Sequence, residues 1–294
     1  MGRYRPHSDE IVQLLFINEY GAERLLSISR DRKLVEYVIE DKLKIHSQYK
    51  IEADAVPTCL IQYPSGRDEE EFLLTANDKF KLRLFNQSTK LPRRITNTQK
   101  YDSPIKKLVS RPSNLPVVAF TTETSLGVML LPIDGNPNRE YAILANPGGV
   151  TGAAAGISSV MTCGPGIILS WKINDRSLDE HRIRGGLGMA PFYALLNDDE
   201  FKLLQNVFYF CQLEAQGLET EGDRKVTRSI PLNKVADGVR ALGWFPSELQ
   251  IEELLTEIKF SQFHKTQEQA TEVDLDDFIK LYLNHRPGNF HVIL

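Results

Sequence analysis

The chain has 294 residues, 41% of them hydrophobic and 25% charged, an ordinary globular composition with room for two domains. No apolar run approaches the roughly 18 residues of a membrane span. The opening Met1-Gly2-Arg3-Tyr4-Arg5-Pro6 lacks the apolar core of a signal peptide and the Ser or Thr of a myristoylation site. Net charge is −4, with no polybasic block and no aromatic-interleaved basic stripe, so neither nucleic acid nor membrane is expected as a partner. The charge is uneven. Residues 187–294 hold ten basic and seventeen acidic residues, a balance of −7, which leaves +3 for the rest. Cys59, Cys163 and Cys211 are scattered among apolar neighbours and read as reduced, buried thiols rather than a disulfide framework.

The front of the chain repeats. His7 is followed by the apolar run Ile11 to Phe16, the turn residue Gly21, and Leu25-Leu26-Ser27-Ile28-Ser29-Arg30-Asp31, with Tyr37 six residues after the Asp. Alternating strands split by turn residues, with a His ahead of the first strand and an Asp in a turn, follow the order of a WD repeat. In that repeat the His and Asp close a hydrogen-bonded network within one blade. The pattern returns at Phe72 to Phe85, more weakly at Val117 to Leu131, and at Ser158 to Trp171, where Pro165 takes the place of the turn Asp. The anchors Tyr37, Phe85, Leu131 and Trp171 are 48, 46 and 40 residues apart, close to the roughly 40–45 of a propeller blade. A generic antiparallel β-domain is the plainer alternative.

About four blades are therefore expected, which is half a ring of the usual kind. Such an arc reads as the back of a longer propeller or as a truncated product. Its unpaired end faces lead to an expectation of marginal solubility. The run Gly148-Gly149-Val150-Thr151-Gly152-Ala153-Ala154-Ala155-Gly156 lacks a phosphate-binding Lys and is expected as a long inter-blade loop. Arg184-Gly185-Gly186-Leu187-Gly188 reads as a flexible linker.

The back of the chain switches to helical periodicity. A first helix is expected over 201–211, a loop over 218–230, and a second helix over 232–242. In the hinge Gly243-Trp244-Phe245-Pro246-Ser247-Glu248, Pro246 blocks continuation and Ser247 caps a third helix running to about Phe260. A fourth helix begins near Val273-Asp274-Leu275-Asp276-Asp277-Phe278. Ile230 and Val273, each near the end of a loop, are expected to pair across a short β-bridge. Phe201, Leu204, Phe208, Ile230, Val239, Leu242, Leu254, Ile258, Phe278 and Leu281 are the expected core. The skeleton is that of an EF-hand pair, and the fold class is all-β plus all-α: a partial WD-repeat propeller, then a degenerate EF-hand pair.

The calcium ligands are mostly absent. With Ile230 at loop position 8, Lys225 falls at position 3, Arg228 at 6 and Lys234 at 12, where Ca²⁺ wants an oxygen, a Gly and a bidentate Glu. With Val273 at position 8, Thr266 falls at 1, Ala270 at 5, Thr271 at 6, Asp274 at 9 and Asp277 at 12. Glu268, Glu272, Asp274 and Asp277 read as the acids common at a helix start, favourable against its dipole. No metal or cofactor is expected. The six histidines show no metal spacing, and neither a nucleophile elbow nor a phosphate loop is present, so no enzyme is expected.

Several stretches together carry a family resemblance. They are Ile168-Leu169-Ser170-Trp171-Lys172-Ile173, Pro191-Phe192-Tyr193-Ala194-Leu195-Leu196, Gly222-Asp223-Arg224-Lys225-Val226, Arg240-Ala241-Leu242-Gly243-Trp244-Phe245-Pro246-Ser247-Glu248, and Leu281-Tyr282-Leu283-Asn284-His285-Arg286-Pro287. They closely resemble the C-terminal part of the family of cilia- and flagella-associated protein 251, also called WD repeat-containing protein 66. Members carry more repeats ahead of this region and a further helical region behind it.

The resemblance implies a non-enzymatic scaffold of the ciliary or flagellar axoneme. It would sit at the base of a radial spoke, among the proteins of the calmodulin- and spoke-associated complex, and be needed for spoke assembly and motility. The alternative is a calcium-responsive EF-hand module of that complex. Expected domains are blades over 1–183, a linker over 184–198 and a helical lobe over 199–294. The lobe is expected to take an amphipathic partner helix, with Trp244 and Phe245 as candidate anchors; packing of the hinge against the blades is the plainer role for both.

Overall fold

The computed structural model describes residues 5–19, 21–40, 43–64, 70–111, 117–186, 188–217 and 222–287. The expectations touching residues 1–4, 187, 218–221 and 288–294 lie outside the described residues.

Four antiparallel sheets follow one another. The first holds β1 (Ile11–Glu19), β2 (Ala22–Ser29), β3 (Lys33–Ile39) and β4 (Leu43–Lys50); the second β5 (Pro57–Gln62), β6 (Phe72–Asn77), β7 (Lys81–Asn86) and β8 (Pro92–Asn97). The third holds β9 (Lys107–Ser110), β10 (Val117–Thr121), β11 (Ser125–Leu130) and β12 (Glu140–Leu144); the fourth β13 (Gly152–Ala155), β14 (Ser159–Gly164) and β15 (Ile167–Lys172). Strands join in sequence order within each sheet, and the first strands of successive sheets lie side by side. This is a four-blade β-propeller arrangement with β1, β5, β9 and β13 as its inner strands.

Residue alternation explains the stacking, because successive side chains point to opposite faces. Leu60, Leu73 and Phe85 of the second blade pack with Leu26, Ile28 and Leu34 of the first, while Ile61, Leu74 and Leu84 pack with Leu108, Val118 and Phe120 of the third. Each blade also carries a polar lock. In the first, His7 Nε2 meets Ser27 Oγ at 2.7 Å, His7 Nδ1 meets Asp31 at 3.1 Å, and Ser27 Oγ meets the Tyr37 hydroxyl at 2.9 Å. In each later blade a polar residue ahead of the first strand likewise bonds the second strand or the turn that follows it. Asn77 donates to Glu52, Thr122 to Asp102, and Thr162 to Asn146, while Trp171 Nε1 donates to Thr162 at 2.9 Å. The expected intra-blade network is present, and the chemistry varies where a His or Asp is missing. Gly166, at φ +72, explains the fourth blade's turn: Pro-Gly fits the centre of a type II turn, so no Asp is needed there.

The Gly-rich run is not loop throughout, because Gly152–Ala155 is β13, paired with residues 160–163 of β14. Small side chains let the strand approach closely: a Cβ on Gly152 would lie 2.8 Å from the Cys163 sulfur.

Helices follow. They are α1 (Asp175–Arg184), α2 (Ala190–Tyr193), α3 (Asp198–Ala215), α4 (Leu232–Ala241), α5 (Glu248–Lys259), α6 (Phe263–Thr266) and α7 (Leu275–His285), with short strands β16 (Ser229–Pro231) and β17 (Glu272–Asp274) among them. Helix α1 is absent from the sequence reading and buries none of its residues; Asn174 caps it, and Asp175 meets Arg111 at 2.5 and 3.0 Å. Gly185 and Gly186, read as flexible linker, have their carbonyls bonded by Asn136 Nδ2. Leu204, Phe208, Ile230, Val239, Leu254, Ile258, Phe278 and Leu281 form the helical core, with Phe201 and Leu242 partly buried against it and Phe192 added from α2. Ile230 and Val273 pair across β16 and β17.

Candidate interaction surface

The helical lobe is built from two similar halves. Asn197 opens α3 with a capping box through Glu200, and Ser247 opens α5 with one through Gln250. Helix α4 ends in a Schellman turn: Gly243, at φ +84, donates to Arg240 O, and Trp244 to Val239 O. The hinge thus has a fixed shape, and it separates the two aromatics. Trp244 is only 8% exposed, lies in the lobe core and approaches the His285 ring at 6.1 Å. Phe245 is 78% exposed. Of the pair, Phe245 is the one that offers surface to a partner.

The loops are held by protein donors. Gln212 of α3 donates to the carbonyls of Thr227 and Ser229, at 2.6 and 3.3 Å, and Gln216 accepts from Lys225 N and donates to Lys225 O. The Ser229 carbonyl stands at loop position 7, which supplies a backbone oxygen in a calcium loop. Lys234, at position 12, is ion-paired to Glu214 at 3.0 Å. In the second loop, Thr266 Oγ1 donates to Gln262 O and accepts from Glu268 N, and Asp274 caps α7 by accepting from Asp277 N at 2.8 Å. Burial, with Asp274 beside it, raises the Asp277 carboxyl above its usual range.

The lobe and the blades meet at an extensive polar seam, which the sequence reading did not locate. Strand β8 forms one edge of the second blade, and α5 and α7 lie against it. The Ile95 amide, which an edge strand would leave open, donates to Glu257 Oε2 at 3.1 Å, and the same oxygen meets His285 Nε2 at 2.8 Å. Asn97 Nδ2 donates to Leu283 O at 2.8 Å, and Asn284 Nδ2 to Asp134 O at 3.2 Å. Arg93 stacks on the Phe260 ring at 4.1 Å. Lys81 Nζ donates to His285 O at 2.5 Å, and burial pulls its pKa down to about 8.

At the heart of the seam, buried Arg83 meets Glu52 at 2.7 Å and is also ion-paired to Glu253 of α5. Burial works against the Arg83 charge, but the two carboxylates outweigh it and hold its pKa above the ordinary value. Burial raises Glu52 despite Arg83. The signal in the sequence was Glu253 and Glu257, one helical turn apart on an amphipathic helix, but a solvated acidic face has the same spacing.

One cluster imitates catalysis. Ser27, His7 and Asp31 have the connectivity of a hydrolytic triad. Ser27, however, is fully buried and already bonded to Tyr37. Ser8 N–H and His7 hold Asp31 below its usual range even though burial pushes the other way. The geometry locks a blade and gives a substrate no access.

Residues 199–292 match the family model of the CFAP251 C-terminal domain. Over 98% of its length the chain is 34% identical to "Cilia- and flagella-associated protein 251" of Mus musculus. This chain is a relative of cilia- and flagella-associated protein 251. The protein of that name from Tetrahymena thermophila is 30% identical, again over 98% of the chain. The chain spans 24% of the mouse cilia- and flagella-associated protein 251 and 33% of the Tetrahymena one. Among solved structures, "Crystal structure of an active polycomb repressive complex 2 in the basal state" covers 56% of the chain, and 37% of its own chain, at 12% identity and a TM-score of 0.47.

Proposed function

We propose that this chain is a non-enzymatic scaffold of the ciliary or flagellar axoneme. In this reading it bridges proteins at the base of a radial spoke, among those of the calmodulin- and spoke-associated complex, and supports spoke assembly and motility. The observation that carries the scaffold reading is the seam. A lobe fastened to a blade edge by buried, mutually bonded groups presents blade loops and helices in one fixed relation, which is what a bridge between two partners requires. The similarity to cilia- and flagella-associated protein 251 supports the axonemal setting. The helices are read as a degenerate EF-hand pair, with blades up to residue 183, a connector over 184–198 and a lobe from 199. The lobe's partner is read as an amphipathic helix taken up without calcium. The calcium-responsive alternative loses support from Lys234, Gln212 and Asp274, which use the loop positions for internal bonds.

Proximity labelling in motile ciliated cells, with the full chain fused to the labelling enzyme, tests this. Enrichment of radial-spoke-base proteins over proteins of the ciliary membrane and cell body is expected. Labelling spread evenly over cytosolic proteins would sink the axonemal reading.

A further inference from the structure

The two end faces of the blade arc are the two halves of a contact that the chain makes three times internally. Each blade turns apolar residues of its second and third strands toward the blade that follows. Leu26 and Leu34 of the first blade, Leu74 and Leu82 of the second, and Ala119 and Leu126 of the third hold equivalent positions, and all are buried. In the fourth blade those two positions are Met161 and Ile168. Thr162 of β14 takes the place of Ser27 of β2, and Ile168 pairs with Cys163 as Leu34 pairs with Ile28. Met161 is 50% exposed and Ile168 75%.

The other end carries the opposite half. Leu14 pairs with Ser27 in the first blade, as Leu60 pairs with Thr75 in the second and Leu108 with Phe120 in the third. Leu60 and Leu108 are buried against the blade before them, whereas Leu14 is 54% exposed. The helices leave both faces clear. The lobe lies on β8. After β15, α1 turns back toward the third blade, where Asp175 meets Arg111 and the Gly185 carbonyl meets Asn136.

What covers such a face is visible inside the chain. At each of the three junctions the following side of one blade packs on the leading side of the next. The chain carries one uncovered example of each side. A single foreign blade fills one of them and leaves the other bare. A second copy fills both at once on both chains, through a two-fold axis along the middle of the arc. Four blades are half of an eight-bladed ring, within the roughly four to eight blades of propellers, so the contact closes after two copies.

We propose that two copies of this chain close an eight-bladed ring, the fourth blade of each packing on the first blade of the other. A blade face about 19 Å across four strands and about 20 Å along six residues offers about 400 Å². Two faces on each copy make about 1,600 Å² in all, the area of a stable, specific interface, so a dimer at micromolar concentration is expected. The ring is independent of the axonemal reading and stands or falls without it.

Sedimentation velocity on the full chain, from about 0.1 to 100 µM, provides the test. A species of two copies, and none larger, is expected. Leu14→Asp and Ile168→Asp should each weaken it roughly 100-fold, since each spoils both junctions of a homodimer. Both side chains are exposed, so both variants should stay folded by circular dichroism. Mixed with each other, the two variants should pair more tightly than either does alone, because one of the two junctions then has both native faces. A chain monomeric at every concentration overturns the proposal and leaves the faces to further blades of a longer polypeptide. A dimer lost with Leu14→Asp but untouched by Ile168→Asp overturns it too, since first blades would then pair with each other. Variants that gain nothing on mixing, or assemblies that keep growing past two copies, overturn the closed ring.

Discussion

Arg83 of β7 and Glu253 of α5 form a buried ion pair that crosses from blade to lobe. Glu52 holds the other side of the same guanidinium. Because all three are out of water, removing the cation leaves two buried carboxylates without a counter-charge. Arg83→Ala is expected to cost about 3–5 kcal/mol, the usual loss when one partner of a buried pair goes. Glu253→Gln keeps the shape and should cost less. Urea denaturation measures both. Arg83→Ala unfolding at the parent midpoint would show that the seam contributes nothing.

Phe208 is 1% exposed and meets the Phe278 ring at 5.8 Å. Phe208→Ala should leave a cavity and cost roughly 3–5 kcal/mol. Thermal melting checks this, with Phe210→Ala as the control on the opposite face of α3. If the two variants lose equal stability, the facing of α3 is wrong.

Much of this was legible in residue patterns, and the reasons differ from place to place. The lobe helices were readable because Phe201, Leu204 and Phe208 recur at helical spacing and Ser247 announces a cap. The His7–Asp31 network was readable because a repeat fixes where its parts meet. Helix α1 was not. It has no apolar face, and Arg111, 64 residues away, binds its first residue. The seam was not readable either, since Glu257 bonding the Ile95 amide spans 162 residues and nothing local marks it. Trp244 and Phe245 looked alike as neighbours; the Schellman turn at Gly243 sends one into the core and leaves the other outside.

Lys81 gives the seam a pH signature. Its folded pKa of about 8 lies below the ordinary 10.5, with burial the main cause and Arg83 the next. Between those two values the unfolded chain binds more protons than the folded one, so this group makes stability rise with pH from about 8 to 10.5. Below pH 8 the buried charge is a constant cost. Denaturation midpoints of the parent and Lys81→Met, followed from pH 7 to about 10.5, should converge or cross as pH rises. A constant difference would show that Lys81 titrates normally.

Calcium is not expected to bind at sensor affinity, roughly micromolar. Lys234 is committed to Glu214 and Asp274 to the α7 cap, so a cation would have to break the first in one loop and the second in the other. Titration calorimetry on the full chain should show no heat in that range. A binding event abolished by Asp277→Ala would overturn this.

The last expectation concerns Phe245. Partner anchors are most often aromatic side chains that become fully buried on binding, and Phe245 is exposed beside a hinge whose shape is set by Gly243 and Ser247. The partner helix should therefore contact Phe245. Trp244 is expected to act through the fold, since its ring already packs in the core beside His285. Affinity capture from ciliary extract, with calcium or with chelator, separates the two roles. The full chain is the right bait, because a lobe cut from the blades would leave Glu253 without Arg83 and Glu257 without the Ile95 amide. Recovery of axonemal proteins should not depend on calcium. Phe245→Ala should reduce it at unchanged melting temperature, whereas Trp244→Ala should lower the melting temperature as well. Recovery unaffected by Phe245→Ala would remove the hinge as the docking point, and recovery only with calcium would restore the sensor reading.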